Sequence, residues 1–338
     1  MLAETSFWVL AGALTIIAVF LYSFRLDQVH SVRTVPSSAL KPTRTAFHAT
    51  RLTSSTFLLR EYNDIYEEHP HIYVKLIPSA QTILIIDTGC GGATLDPDIE
   101  IKSLRIYIEQ VKLDCNGGVP LNEGKRMQYV VVTTHCHYDH IRASCSNDSR
   151  ILVSSHAPSF ISDLNLPTHS LCKNLGIKTP SYSPILVPHS YAIHSSTFVP
   201  LGVSVLHTPG HTPDELALFD AAEKMLYVGD SLYEEETIIF PKEGSIIEWL
   251  SSIEYLIAFV RTENQAGQIQ INCGHRTTLR PALEVLEATR LFMGDVVSGR
   301  EPVRKRMTIR GEESVEYVQK AGRFALRCPE RLVLEARK

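Results

Sequence analysis

Three histidines and one aspartate follow directly on an apolar run, and no other feature constrains the fold and chemistry of this chain as strongly. After the run 129–132 and Thr133, residues 134–140 read Thr-His-Cys-His-Tyr-Asp-His. Residues two apart on an extended chain point to the same side, which pairs His135 with His137. Asp139 and His140 can turn the other way at the start of a following helix. Imidazole and carboxylate suit zinc, iron or manganese, so the segment predicts a strand-end loop that serves two metal ions.

Further candidate ligands recur at the downstream ends of apolar runs elsewhere in the chain. They are His211, Asp230 and His275, which follow the runs 203–206, 226–228 and 269–272. In layered α/β folds the loops beyond the strand ends are where ligands gather. The chain contains no Cys-x-x-Cys pair, which argues against a structural site made of thiolates alone. The pattern predicts a catalytic metal site.

Strand-like and helix-like segments alternate along the chain from about residue 50. Candidate strands, rich in β-branched residues, are 72–77, 82–86, 129–134, 151–154, 203–207, 216–219, 225–228 and 269–272. Apolar residues recur every three or four positions in 99–111, 245–260 and 281–297, which predicts helices. This alternation indicates a layered α/β fold. Six prolines interrupt the stretch 157–200, which predicts an irregular, loop-rich insertion.

The N-terminal segment 7–24 is 18 residues long and carries no charge. As a helix it would extend about 27 Å, nearly the thickness of a hydrocarbon core. The basic residues Arg25, Arg33, Lys41 and Arg44 all follow it, which predicts a single-pass membrane protein with its main domain in the cytosol. The expected organisation is an anchor at 1–24, a polar linker at 25–48 and a catalytic domain at 49–338.

The ligand pattern His135-x-His137-x-Asp139-His140, followed by His211, Asp230 and His275, resembles that of the metallo-β-lactamase superfamily of hydrolases. The resemblance implies a four-layer αββα sandwich and two divalent metal ions, with zinc expected. It places His135, His137 and His211 on one ion and Asp139, His140 and His275 on the other, with Asp230 bridging. A metal-bridging hydroxide would be the nucleophile. Asp87, after the run 82–86, is similar to the superfamily's first motif, whose aspartate supports the ligand loop.

The surroundings of the ligands favour a lactone, ester or thioester as the substrate. Tyr233 follows Asp230 by three residues, as in the superfamily's lactone hydrolases, and is the expected donor to the substrate carbonyl. Asp139 is expected to help carry a proton to the leaving group. The membrane anchor favours an apolar small-molecule substrate. Apolar residues of the insertion either line an acyl pocket or pack the insertion itself, and these residues are Phe160, Ile161, Leu164, Leu166 and Leu171.

Two other functions fit the sequence less well. A phosphodiesterase or nuclease of the same superfamily is supported by a basic cluster at Arg300, Arg304, Lys305, Arg306 and Arg310. The 44 residues between Asp230 and His275 leave no room for the domain that those nucleases insert there. The net charge of −4 also predicts no nucleic-acid partner and makes the cluster a solvated face. The remaining alternative, a catalytically silent membrane-tethered scaffold, does not require all seven ligands.

Overall fold

The computed structural model describes residues 43–143, 149–263 and 265–338. The predicted anchor at 7–24 and most of the predicted linker lie outside the described residues. Within these ranges, no helix combines the length and apolarity that crossing a membrane requires. The first strand begins at Phe47, two residues before the predicted domain start, because this side chain is buried and packs 5.4 Å from the Tyr107 ring. Phe47 is the only large apolar residue in the stretch 43–51, which is too little for a periodic signal.

The first sheet has seven strands in chain order, antiparallel from β1 to β4 and parallel from β4 to β7. These are β1 (Phe47–Arg51), β2 (Thr56–Glu61), β3 (His71–Ile77), β4 (Thr82–Ile86), β5 (Gln128–Val132), β6 (Arg150–Ser154) and β7 (Ile185–Val187). All five residues of β4 are buried. Leu84 and Ile86 face one apolar cluster, while Ile83 and Ile85 face another, so both faces of the sheet are covered.

The second sheet has six strands in the order β14-β13-β11-β10-β9-β8. These are β8 (Ala192–His194), β9 (Pro200–His207), β10 (Leu216–Asp220), β11 (Met225–Tyr227), β13 (Gln270–Asn272) and β14 (Arg280–Pro281). Val205 and Leu218 of this sheet share a buried cluster with Leu84 and Val130 of the first sheet. The two sheets therefore pack face to face around one apolar layer.

Helices cover the two outer faces. Helix α1 (Leu104–Gln110) packs Leu104 and Ile108 on the first sheet. The second sheet is covered by α5 (Ile246–Thr262) and α6 (Ala282–Ser298), which bury Trp249 and Phe292 among others. Ser245 caps α5 by accepting a hydrogen bond from the Glu248 amide. The layer order is αββα, as predicted.

A third sheet, of four strands, was not predicted from the sequence. It has the order β12-β17-β16-β15 and consists of β12 (Thr237–Ile239), β15 (Lys305–Ile309), β16 (Glu312–Val318) and β17 (Ala325–Pro329). Its strands carry many charged residues, so their apolar content gave no signal. Val315, Leu326 and Cys328 are buried with helix α7 (Glu330–Ala336) in the same core as α5 and α6. The predicted basic cluster is exposed, and two of its residues lie on β15.

The predicted insertion 157–200 is less irregular than its prolines indicated. Besides the short helices α3 (Leu166–His169) and α4 (Cys172–Leu175), it contains β7 and β8, one in each of the two large sheets. Among its apolar residues, Leu171 lines a cleft, three others pack the insertion, and Leu164 takes neither expected role. Phe160, Ile161 and Leu166 are buried with Cys136, whereas Leu164 is exposed. This part of the insertion therefore packs against the loop that follows β5.

Candidate metal centre

Asp87, directly after β4, fixes the loop that follows β5 and leads into the short helix α2 (Tyr138–Ile141). Its two carboxylate oxygens accept hydrogen bonds from the Thr134 amide at 2.7 Å and the Thr134 hydroxyl at 2.8 Å. Oδ2 also lies 2.9 Å from Nδ1 of His140. A histidine that gives its Nδ1 proton to a carboxylate turns the lone pair of Nε2 to the opposite side. The supporting role predicted for Asp87 is thus confirmed by its hydrogen bonds.

His135, His137 and His211 form the first ligand group. Nδ1 of His137 lies 3.0 Å from Nε2 of His135 and 3.2 Å from Nε2 of His211. All three side chains are buried. Burial lowers the pKa of His137 to about 4 and that of His211 to about 3. Burial and the neighbouring histidines also hold the pKa of His135 well below its usual value, so all three imidazoles are neutral ligands at pH 7.

Asp139, His140, Asp230 and His275 form the second group. Nε2 of His275 lies 3.3 Å from Oδ2 of Asp139 and 3.5 Å from Oδ2 of Asp230. Nε2 of His140 lies 3.4 Å from each of the same two carboxylates. The structure thus places Asp230 with this group, and its predicted bridging contact to the first group stays a prediction.

The charges of the second group need a cation or protons among them. Nδ1 of His275 lies 2.8 Å from the carbonyl oxygen of Glu68, which can only accept, so Nε2 of a neutral His275 would turn its lone pair towards two carboxylates. Burial disfavours a charged His275, yet Asp230 and Asp139 raise its pKa well above the usual value. The two histidines in turn hold the pKa of Asp139 and Asp230 well below theirs, against burial.

Both groups fit divalent metal ions. Nε2 of His140 and Oδ1 of Asp230 are buried and have no hydrogen-bond partner in the described residues. In the first group, Nδ1 of His137 faces Nε2 of both His135 and His211. In a neutral imidazole this nitrogen carries either one proton or one lone pair, so it can pair well with only one of the two. The ligand set of five histidines and two aspartates is one that zinc, iron and manganese accept.

Close backbone approaches shape the second group. A Cβ atom on Gly274 would lie 2.1 Å from Oδ1 of Asp230 and 2.9 Å from Cε1 of His140. A Cβ atom on Gly229 would lie 2.7 Å from the Thr134 hydroxyl oxygen. Only glycine leaves room for the Asp230 carboxylate at position 274 and for the Thr134 side chain at position 229.

Two acidic residues next to the ligands were not predicted. Oε1 of Glu215 accepts a hydrogen bond from the Asp230 amide at 2.8 Å, and Glu215 is fully buried. Burial, together with the charge of Asp230, raises the pKa of Glu215 well above its usual value. Burial also raises the pKa of Glu68 to about 7, and its carboxylate accepts a hydrogen bond from the Tyr138 hydroxyl at 2.5 Å. Glu215 could have been found from the sequence, because it is an acidic residue directly before the apolar strand β10. The loop that contains Glu68 has no such pattern.

Tyr233 lies at the edge of the second group. Its ring packs edge-on against His275, with 5.3 Å between the ring centres. Its hydroxyl donates a hydrogen bond to the Thr237 carbonyl at 3.3 Å. Burial, followed by the charge of Asp230, raises the pKa of Tyr233 well above its usual value, which keeps the hydroxyl a donor at neutral pH.

The ligand groups form the floor of a cleft of about 410 Å³. The α3–α4 part of the insertion contributes Leu171 and Leu175 to one wall. The third sheet and the segment after β12 contribute another wall, with Ile309, Phe240 and Pro329 among its apolar residues. The cleft therefore combines an apolar lining with a polar floor, which suits a small molecule that carries an apolar group.

Glu61, near the Asp87 loop, should make the folded state less stable as the pH rises. Its carboxyl is buried and Oε1 accepts a hydrogen bond from the Gly92 amide at 3.1 Å, while Oε2 has no partner in the described residues. Burial raises its pKa from 4.5 to about 8. Between these values the unfolded chain loses a proton that the folded chain keeps, so stability is lost as the pH rises, by at most about 1.4 kcal/mol per pH unit.

Urea unfolding from pH 5 to pH 8 measures this effect. The Glu61→Gln variant, which cannot ionise at this position, should lose less stability than the wild type over that range. The exposed Glu123 provides a matched control, and Glu123→Gln should follow the wild-type pH dependence. Parallel curves for the wild type and Glu61→Gln would show that Glu61 is ionised in the folded protein.

Comparison with known proteins identifies the family. The family model of the metallo-beta-lactamase superfamily matches residues 192–261. The Aspergillus versicolor protein named "Putative transcription factor avaE" is 32% identical over 304 residues, which cover 87% of this chain and 89% of that protein. The human acyl-coenzyme A thioesterase MBLAC2 is 24% identical over 196 residues, which cover 55% of this chain and 63% of that protein.

A solved structure shares the fold of this chain. The crystal structure of a metallo-beta-lactamase family protein from Thermus thermophilus aligns with a TM-score of 0.52 at 16% identity. The alignment covers 76% of this chain and 85% of that chain, and it shows a shared fold. This chain belongs to the metallo-β-lactamase superfamily of hydrolases.

Proposed function

We propose that this protein is a binuclear metal-dependent hydrolase that cleaves a thioester, ester or lactone of an apolar acyl group. The observation that carries the proposal is the placement of two buried ligand groups, one of three residues and one of four, side by side at the floor of a partly apolar cleft. The human relative's name, acyl-coenzyme A thioesterase, supports a thioester as the first substrate to test.

In this proposal the chain's own residues orient the substrate and move protons. Two divalent ions, with zinc proposed, would lower the pKa of a coordinated water and polarise the substrate carbonyl. The apolar wall at Phe240 and Leu175 holds the acyl group. Tyr233 donates a hydrogen bond to the oxyanion that develops on the carbonyl oxygen. Asp139, which lies beside His140 and His275, carries a proton to the leaving sulfur or oxygen.

Two alternatives receive less support. For a nuclease, the described residues between Asp230 and His275 contain β12, α5 and β13 and no inserted domain. For a transcription factor, as the avaE relative is named, the net charge of −4 gives no general attraction to nucleic acid. A scaffold without activity has no need of unpaired ligand atoms converging in a cleft.

A substrate panel tests the proposal. The purified protein, supplied with Zn²⁺, Mn²⁺ or Fe²⁺, is assayed on acyl thioesters, aryl esters, lactones and phosphodiesters. Turnover of at least one carboxylic substrate, lost on chelation and restored by metal, is expected. Efficient phosphodiester cleavage without turnover of any carboxylic substrate would overturn the proposal.

The Tyr233→Phe variant should turn over substrate roughly 100-fold more slowly, because it lacks a donor to the developing oxyanion. The long hydrogen bond from Tyr233 to the Thr237 carbonyl is one that a substrate carbonyl can replace. Metal content should be unchanged. Tyr255, whose hydroxyl lies 3.3 Å from Nε2 of His189, provides the matched control, and Tyr255→Phe should keep wild-type turnover. Equal rates in Tyr233→Phe and wild type would remove the tyrosine's role and leave the metal assignment intact.

We also propose that segment 7–24 anchors the protein in a membrane and that the catalytic domain faces the cytosol. The basic residues that follow the segment support this orientation. All six cysteines of the described ranges are unpaired, which suits a reducing compartment. The sequon at Asn147 should therefore remain unglycosylated, and protease added to intact microsomes should digest the domain. A glycosidase-sensitive mass or a protease-protected domain would reverse the topology.

A further inference from the structure

The tip of the β15–β16 hairpin places an arginine at the metal cleft. Ile309 pairs with Glu312 across the hairpin, so Arg310 and Gly311 form a two-residue turn. Both have positive φ angles, 52° and 81°. Two-residue turns of this kind favour Asn-Gly, since a bulky side chain in the left-handed region is disfavoured. The backbone geometry of the turn therefore gives no reason for an arginine at position 310.

The hairpin belongs to the wall of the cleft. Ile309, Arg310 and Glu312 line the same cavity as the ligands His137 and Asp230. The neighbouring basic residues, such as Arg304 and Lys305, are exposed and do not line it. Among the exposed basic residues predicted as a cluster, Arg310 alone reaches the substrate space in the described part of the chain.

No carboxylate of the described residues lies within ion-pairing distance of the Arg310 guanidinium. Two other cations line the cleft, and each has an acidic partner. Arg327 donates a hydrogen bond to Glu316 at 2.7 Å, and the Lys242 ammonium lies 3.7 Å from the Glu243 carboxylate. A guanidinium that faces a cleft without a partner is suited to a planar or tetrahedral oxyanion, which it can bind through two parallel hydrogen bonds.

We propose that Arg310 determines specificity by binding a carboxylate or phosphate group of the substrate. This inference rests on the proposed hydrolase function and narrows its substrate class to acyl compounds that carry an anionic group away from the scissile bond. The anion has two possible sources, a phosphate on the thiol part of a thioester and a second carboxylate on the acyl part. The apolar neighbour Ile309 holds the carbon chain between the anion and the metal site.

Kinetics with three thioesters separate these sources. Hexanoyl-coenzyme A carries phosphates, the adipoyl monothioester of N-acetylcysteamine carries a free carboxylate, and hexanoyl-N-acetylcysteamine carries neither. Arg310→Asn should lower kcat/KM roughly 10- to 100-fold, through KM, for the charged substrate that the protein recognises. The kcat/KM of the neutral thioester should fall far less, because this substrate offers Arg310 no anion.

Three comparisons distinguish recognition from a structural role. Arg310→Asn should have a Tm no lower than the wild type, because asparagine is favoured at this turn position. Arg310→Lys, which keeps the charge, should recover part of the lost kcat/KM. Arg304→Gln, in the same basic segment and outside the cleft, should behave as the wild type. Loss of selectivity together with a lower Tm would assign Arg310 to stability and overturn the proposal.

Calorimetric binding to the metal-loaded protein needs no turnover. 4′-Phosphopantetheine is compared with pantetheine, and adipate with hexanoate, so that each pair differs in the remote anion only. Tighter binding of the charged member of one pair, lost in Arg310→Asn, supports the proposal and names the source. Equal binding within both pairs, or a preference that Arg310→Asn retains, overturns it. If no thioester, ester or lactone is hydrolysed, the proposed function fails, and these binding pairs still decide the role of Arg310.

Discussion

Replacing Asp230 with asparagine should reduce turnover at least about 1,000-fold and lower the metal content of the purified protein below the two ions per chain expected of the wild type. The Asp230 carboxylate lies between His140 and His275, and both of its oxygens face them. An amide of the same shape removes the negative charge that the metal ions require. Elemental analysis and steady-state kinetics on the same preparation measure both effects.

Cys136→Ser is the control for this substitution. Cys136 stands between His135 and His137, yet its side chain is buried with Phe160 and Ile161 on the side away from the ligands. Serine there should keep the full metal content and turnover within a few-fold of the wild type. Wild-type activity in Asp230→Asn, or a metal-free Cys136→Ser protein, would contradict the ligand assignment.

Adding a single methyl group at Gly274 should abolish metal binding in the second group. In Gly274→Ala the new Cβ atom would lie 2.1 Å from Oδ1 of Asp230, far inside van der Waals contact. The carboxylate must then move, and the Gly274 amide, which donates a hydrogen bond to the Gly229 carbonyl at 2.6 Å, holds the backbone in place. We expect a fall in turnover of at least about 100-fold, as for disruption of the shell around a metal.

Gly294→Ala is the matched control, because a Cβ atom at Gly294 meets nothing within 4 Å. This residue lies inside helix α6, where alanine should stabilise the fold by about 0.5–1 kcal/mol. Calorimetric unfolding of the metal-loaded and chelated forms separates the two effects. If Gly274→Ala binds two ions as tightly as the wild type, the close approach to Asp230 is not part of the functional state.

The layered α/β fold and the candidate ligands could be predicted from local patterns, whereas the αββα order and the two ligand groups were implied by the resemblance to the superfamily. His135, His211 and His275 each follow an apolar run, and the strand ends bring such positions to one edge. The contribution of Glu68 could not be predicted, since it uses a backbone carbonyl to orient His275 across the fold. Arg310 was correctly predicted to be exposed. Its position at the cleft depends on the β15–β16 hairpin, which the sequence of residues 300–310 does not reveal.

The third sheet was missed for a related reason. β12 pairs in parallel with β17, so Thr237 meets Ala325 from a distant part of the chain. Neither strand is recognisable alone, because β12 has three residues and β17 carries Arg327 and Pro329. Pairing over such a separation is a property of the assembled fold and leaves no periodic pattern in the sequence.

This pairing also sets an order of events during synthesis on the ribosome. The last ligand, His275, precedes β17, so the ligand set is complete in the nascent chain before the strand that closes the cleft wall has emerged. The candidate ligands can therefore come together on the unfinished polypeptide before the cleft around them is enclosed. The cleft wall is complete only when residues 325–329 pair with β12 and β16, so the late-synthesised end of the domain encloses a site whose candidate ligands have already been synthesised.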